Sequence, residues 1–171
     1  VERIQDATPR RIPFQQKIGA GLNLEAFKKK EREGTLRHVG LQESVYLLAN
    51  SLGLNLDSVT ESLEPVIAKK EVSSEAIKVK KGDARGVEQF AYGYVNGNCK
   101  VKLHFKAAIG EERSYDKITI KGTPSFSSEI DGGLNGDIAT CAITINCIKS
   151  VLKGPAGLQT MADISVPGFI N

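Results

Sequence analysis

The sequence predicts an α+β fold, a mixed and mostly antiparallel sheet with helices gathered on one face. Three stretches carry that expectation. Residues 99–109, CKVKLHFKAAI, alternate strictly: Val101, Leu103, Phe105, Ala107 and Ile109 point one way and Lys100, Lys102, His104 and Lys106 the other, as in a half-buried strand. Residues 40–53, GLQESVYLLANSLG, place Leu41, Val45, Leu48 and Leu52 at helical spacing, with Gly53 as a stop. Residues 131–152 change to a helical period, with Ile138, Cys141, Ala142, Ile145, Ile148 and Leu152 forming an apolar stripe.

Each element follows from its residues. At the start, RRIPFQQKIGAGL (residues 10–22) crowds Arg10, Arg11 and Lys17 around the bend Gly19-Ala20-Gly21. Glycines let backbone N–H groups approach a ligand, and the arginines and lysine supply charged donors, so the stretch suits a carboxylate or phosphate. The other reading leaves the glycines to make the turn and the arginines to meet solvent or an interface. NLEAFKKKERE (residues 23–33) follows as a helix capped by Asn23, its first turn lending a positive end to the bend and its mixed charges forming a solvated face. AIKVKK, GVEQFAYGYV, YDKITIKG and SFSSEI read as further strands, and Asn96-Gly97-Asn98 marks a hairpin. In the last helix, expected to be buried, Asp137 serves as an N-cap or first-turn acid. Residues 153–171 have no period and read as an ordered loop or a tail. The lysine-bearing sheet face is expected to meet water or an acidic partner surface.

Composition bounds the rest. A chain of 171 residues, 40% apolar and 25% charged, suits one globular domain with its own core. No apolar run reaches the roughly 18 residues of a membrane span, and VERIQDATPRR lacks a signal-peptide core, so a cytoplasmic protein is expected. Cys99, Cys141 and Cys147 are odd in number and form no C-x-x-C pair; they read as buried thiols. With only His38 and His104, no metal site is expected. The net charge of +3 is too small to imply nucleic-acid binding, although residues 1–37 hold nine Lys or Arg against five Asp or Glu. No βαβ unit precedes a G-x-G-x-x-G, and no G-x-x-x-x-G-K-[ST] occurs, so the chain alone is not expected to bind a nucleotide.

RRIPFQQKIGAGL, LRHVGLQES, IKGTPSFSSEIDGGLNGDIATCAITIN and PAGLQTMADISVP together resemble the C-terminal part of 2,4-diaminopentanoate dehydrogenases, which belong to the dihydrodipicolinate reductase-like NAD(P)-dependent oxidoreductases. The resemblance spans the whole chain. It implies that residues 1–171 form a substrate-binding and oligomerisation domain, and that an N-terminal Rossmann domain, absent here, holds NAD or NADP. The implied reaction is oxidative deamination of 2,4-diaminopentanoate to 2-amino-4-oxopentanoate and ammonia by a homodimer or higher oligomer.

Site roles follow from the same resemblance. The substrate carboxylate would suit Arg10, Arg11, Lys17 and Gly19, Ala20 and Gly21, while Glu43, Asp137 and Asp163 are the acids available to its ammonium groups. Lys17 lies just before the glycine bend, as the catalytic lysine of dihydrodipicolinate reductases lies just before a Ser-Gly-Thr turn, which implies a proton-donating or substrate-binding role. The paired histidines of those reductases are absent, and this weighs against reduction of dihydrodipicolinate itself. His38 faces the pocket or caps its helix, Glu43 and Ser44 face solvent or pocket, and Thr160 is the pocket candidate outside the helices. A stand-alone binding or dimerisation module without redox chemistry is the competing reading.

Overall fold

The computed structural model describes residues 1–36 and 40–168. Its elements run β1 (Glu2–Asp6), α1 (Ile12–Lys17), α2 (Leu24–Arg32), α3 (Leu41–Ser51), β2 (Ser58–Ile67), β3 (Val72–Ser73), β4 (Lys78–Val79), β5 (Ala84–Val95), β6 (Asn98–Ala108), β7 (Tyr115–Ile120), β8 (Phe126–Asp131) and α4 (Gly136–Lys153). The fold is α+β, as expected. Two compact units divide it, Val1–Gly133 and Leu134–Asn171.

In the first unit a six-stranded sheet has the order β2-β5-β6-β1-β7-β8. Every neighbouring pair is antiparallel except β1 with β6, which run parallel with Glu2 opposite His104 and Asp6 opposite Ala108. The long β5–β6 hairpin turns at Asn96 (φ 50°) and Gly97 (φ 71°), the left-handed pair that the Asn-Gly dipeptide announces. Along β6 the alternation holds: Val101, Leu103, Phe105 and Ala107 are buried on the helix side. The second sheet is the two-residue ladder of β3 and β4, so AIKVKK contributes far less strand than its alternation implies.

Helix α2 begins at Asn23, whose side-chain oxygen accepts from the Ala26 N–H at 2.8 Å. It buries Phe27 completely. Helix α3 packs on β2, β5 and β6 through Leu41, Val45 and Ala49. Leu52 was expected on that stripe, but the helix ends at Ser51 and Leu52 becomes its exposed C-cap, with Gly53 (φ 67°) turning the chain away. Gly93 allows the close approach of α3, because a Cβ there would lie 2.7 Å from Val45.

Three strands and one helix escape the sequence reading, the two-residue β3 among them. β1 is short and polar, and it owes its place to parallel pairing with a strand nearly a hundred residues later. β2 alternates through Val59 and Leu63 but carries Glu61 and Pro65 on the same side, which blurs the apolar signal; as an edge strand it tolerates the proline. α1 has Pro13 in its first turn, a position where the missing N–H costs nothing, so a stretch that reads as loop is helical.

The second unit holds α4 and the chain that follows it. Asn135 is the N-cap, its side-chain oxygen accepting from the N–H groups of Asp137 and Ile138, so Asp137 is the first-turn acid and not the cap. The helix was expected to be buried. It is not: Ile138, Ile145, Ile148 and Leu152 are all more than half exposed, since one helix and an aperiodic segment cannot enclose an apolar stripe. The thiols are likewise corrected, with Cys99 and Cys141 exposed and Cys147 half-buried.

Phe27 fills the space beside Gly19, where a Cβ would lie 2.9 Å from its ring. Phe27→Ala is expected to lower the unfolding free energy by about 3–5 kcal/mol in urea denaturation. A loss below about 1 kcal/mol would show that α2 and the glycine bend are not packed as described.

Candidate functional site

The basic segment leaves the end of β1 and is tied down at each step. Asp6 accepts from the Thr8 N–H (3.0 Å), the Thr8 hydroxyl (2.6 Å) and the Gly110 N–H (3.1 Å), turning the chain sharply after the strand. Arg10 directs its guanidinium inward, donating to the side-chain oxygen of Gln5 at 3.0 Å and lying 4.3 Å from the centre of the Phe14 ring. Arg11 is exposed at the N-cap of α1, and Lys17 is exposed in its last turn. They stand at opposite ends of that six-residue helix. The structure therefore sets the three cations along the segment and does not focus them on one point.

The bend does not present the expected amide cradle. The Gly19 N–H donates to Gln16 O (3.0 Å), Ala20 N–H to Gln15 O (3.1 Å) and Gly21 N–H to Ala84 O (2.8 Å). Gly19 (φ 71°) and Gly21 (φ 84°) supply left-handed turns, and the contact of Gly19 with the Phe27 ring requires the absence of a side chain. These amides close the α1 turn and join it to β5. An anion at this site would be met by side chains.

Sequence reasoning missed the residue that organises the segment. Gln15 is 2% exposed, and its amide nitrogen donates to the carbonyls of Ala7 (2.9 Å), Thr8 (3.1 Å) and Arg10 (2.9 Å). Its oxygen accepts from the Ser74 hydroxyl at 2.7 Å. A polar residue between Phe14 and Ile18 was the only available signal, and the loop reading of residues 10–22 hid it.

Glu43 is exposed in the first turn of α3, and the Ser44 hydroxyl donates to Gly40 O at 2.8 Å within its own helix. His38 lies outside the described residues. Thr160 belongs to the second unit, where its N–H (2.8 Å) and hydroxyl (2.6 Å) both donate to one oxygen of Asp163.

On the open face of the sheet, His104 and Lys106 find partners within the chain, while Lys100 and Lys102 are exposed. His104 Nε2 lies 2.8 Å from the Glu88 carboxylate, and its ring stacks on Phe90 at 4.3 Å. Lys106 and Arg85 each reach Glu111 at 2.8 Å. Arg113 pairs with Glu129, which also receives Lys117 at 3.1 Å. Among the described residues no group of three or more His, Cys, Asp or Glu side chains could hold a metal, and no helix is long and apolar enough to cross a membrane.

The architecture is shared with a solved structure, the amine dehydrogenase from Mycobacterium smegmatis. The TM-score is 0.83 at 19% identity, over 99% of this chain and 51% of that one, which is a likeness of fold. In sequence the chain is 30% identical over 174 residues to 2,4-diaminopentanoate dehydrogenase from Acetoanaerobium sticklandii, covering 98% of this chain and 49% of the relative. The family model for the 2,4-diaminopentanoate dehydrogenase C-terminal domain matches residues 1–171, and the chain belongs to that family. It spans about half the length of the relatives it matches.

The Thr160 hydrogen bonds, from the hydroxyl and then the backbone N–H, hold the Asp163 carboxyl below the usual aspartate range. Because the ionised form is favoured in the fold, the turn gains order above the ordinary aspartate pKa and loses it as pH falls through the depressed value. Thr160→Ala, which removes the hydroxyl but keeps the backbone N–H, is expected to move the Asp163 titration, followed by carboxyl NMR shifts, part of the way back toward the ordinary aspartate range. An unchanged midpoint would remove this turn from the description.

Proposed function

We propose that this chain is the substrate-binding and oligomerisation domain of an NAD(P)-dependent amino acid dehydrogenase, one that deaminates 2,4-diaminopentanoate to 2-amino-4-oxopentanoate and ammonia. The observation that supports it most is the family match across the whole chain, in a chain half the length of its relatives. The same reading places the protein in the cytoplasm as a homodimer or higher oligomer.

The glycine bend does not fit a dinucleotide. Each amide of the glycine bend already donates to a main-chain carbonyl, leaving no nest for a pyrophosphate. This reading gives NAD or NADP to the other half of the enzyme and leaves this chain to receive the substrate. Arg10, Arg11 and Lys17 form the basic wall for the carboxylate. Arg10 is already held by Gln5 and Phe14, so it stiffens the wall, while Arg11 and Lys17 sit at its surface. Charge-assisted contacts of this kind hold a small acid without any main-chain amide. Gly19, Ala20 and Gly21 shape the wall by closing the turn beneath it. Lys17 stands as the proton-handling or substrate-contacting group, with His38 and Glu43 as further contacts in the same reading.

The full-length protein should reduce NAD or NADP, followed by absorbance, when given 2,4-diaminopentanoate; no turnover with either coenzyme defeats the assignment of substrate. Lys17→Ala should depress kcat/KM at least about tenfold, near 1.4 kcal/mol of barrier. Unchanged kinetics would take Lys17 out of the site. The 171-residue chain alone should show no saturable binding of NADH or NADPH by fluorescence, and micromolar affinity would contradict the division of labour between the two halves.

A further inference from the structure

Between β1 and α1 the chain makes a turn that belongs to neither a strand nor a helix. Three of its carbonyls, those of Ala7, Thr8 and Arg10, converge on one buried point. The Ala7 carbonyl also accepts from the Arg10 N–H at 3.1 Å, but inward carbonyls short of donors are costly, so such a turn needs an internal donor. Gln15 supplies it. Its two amide hydrogens are shared among the three oxygens, while its own oxygen is fixed by Ser74. Ser74 is itself anchored, its hydroxyl oxygen accepting from the N–H groups of Ala76 (3.3 Å) and Ile77 (3.1 Å) in the β3–β4 hairpin. The carbonyl of Arg11 accepts from the N–H groups of both Phe14 and Gln15. The backbone that carries Arg10 and Arg11 is thus clamped from below by one side chain.

We infer that Gln15 is the positioning residue of the substrate wall, and that through the Arg10 and Arg11 backbone it sets the affinity for the substrate's carboxylate. The inference rests on the proposed function, since it takes the Arg10–Arg11 segment as that wall. The chemistry demands an amide. Methionine matches its length but donates nothing, and glutamate would set a carboxylate against three carbonyl oxygens. Geometry of this kind acts on ground-state binding of the anchored group, because a charged donor displaced by about 1 Å loses most of its directional contact. Chemistry at the distant amine is touched less.

The test is made in the full-length enzyme with Gln15→Met, Ser74→Ala and Arg11→Ala. Two readouts are followed: trypsin cleavage after Arg10 and Arg11, and KM for 2,4-diaminopentanoate against KM for pentane-2,4-diamine, which has no carboxylate. Gln15→Met should speed cleavage about tenfold and raise KM for the diamino acid at least about fivefold, with kcat within about threefold and KM for the diamine unchanged. Ser74→Ala should move both readouts the same way by about two- to threefold, and it carries the test if Gln15→Met does not fold. A rise in KM for Arg11→Ala with no change in either readout for the two clamp variants overturns the role of Gln15 and leaves the wall intact. Faster cleavage with KM unchanged, in Arg11→Ala as well, overturns the wall itself. Equal increases in KM for both substrates would mean general loosening, and this also overturns the inference.

Discussion

The parallel pairing of Glu2–Asp6 with His104–Ala108 is the constraint on which the molecule turns. It seats a short polar strand between two antiparallel groups, β2-β5-β6 on one side and β7-β8 on the other. Since β1 and β6 run the same way, the chain must leave β1 at the end where β6 also ends, beside Ala108 and Gly110. Asp6 and Thr8 record that exit by binding the Gly110 N–H. The turn with its two arginines, α1 and the glycine bend are then laid against the helix-side core. The site is consequently built on the middle of the sheet, where the backbone is held on both sides, and not on an edge.

Much of this could be read from the residues because local chemistry and final structure agree there. The alternation of Val101 to Ala107, the Asn96-Gly97 turn, the Asn23 cap and the stop at Gly53 are each decided within a few residues, and each is found in place. What could not be read depends on distant partners. β1 is too short and polar to announce itself, and only β6 and β7 make it a strand. Gln15 looks like one polar residue among several until the carbonyls of Ala7, Thr8 and Arg10 and the hydroxyl of Ser74 gather around it.

The candidate site shows the same division. Its residue types were legible: basic side chains and a glycine bend do occur together next to a helix start. Their directions were not. Three amides expected to face a ligand face carbonyls instead, because Gly19 is packed under Phe27 and Gly21 is joined to Ala84. Arg10, from the same pair as Arg11, turns inward to Gln5 and Phe14 while its neighbour stays at the surface. Spacing along the chain fixes which residues are neighbours, and packing decides which way each one looks.

The pairing of charges on the open sheet face reaches beyond that face. Lys106 and Arg85 share the single carboxylate of Glu111, whereas Lys117 and Arg113 meet two, Glu129 and Asp131, so the first group keeps a positive charge and the second is balanced. Where cations outnumber carboxylates on that face, their pull on a passing anion weakens as ionic strength rises.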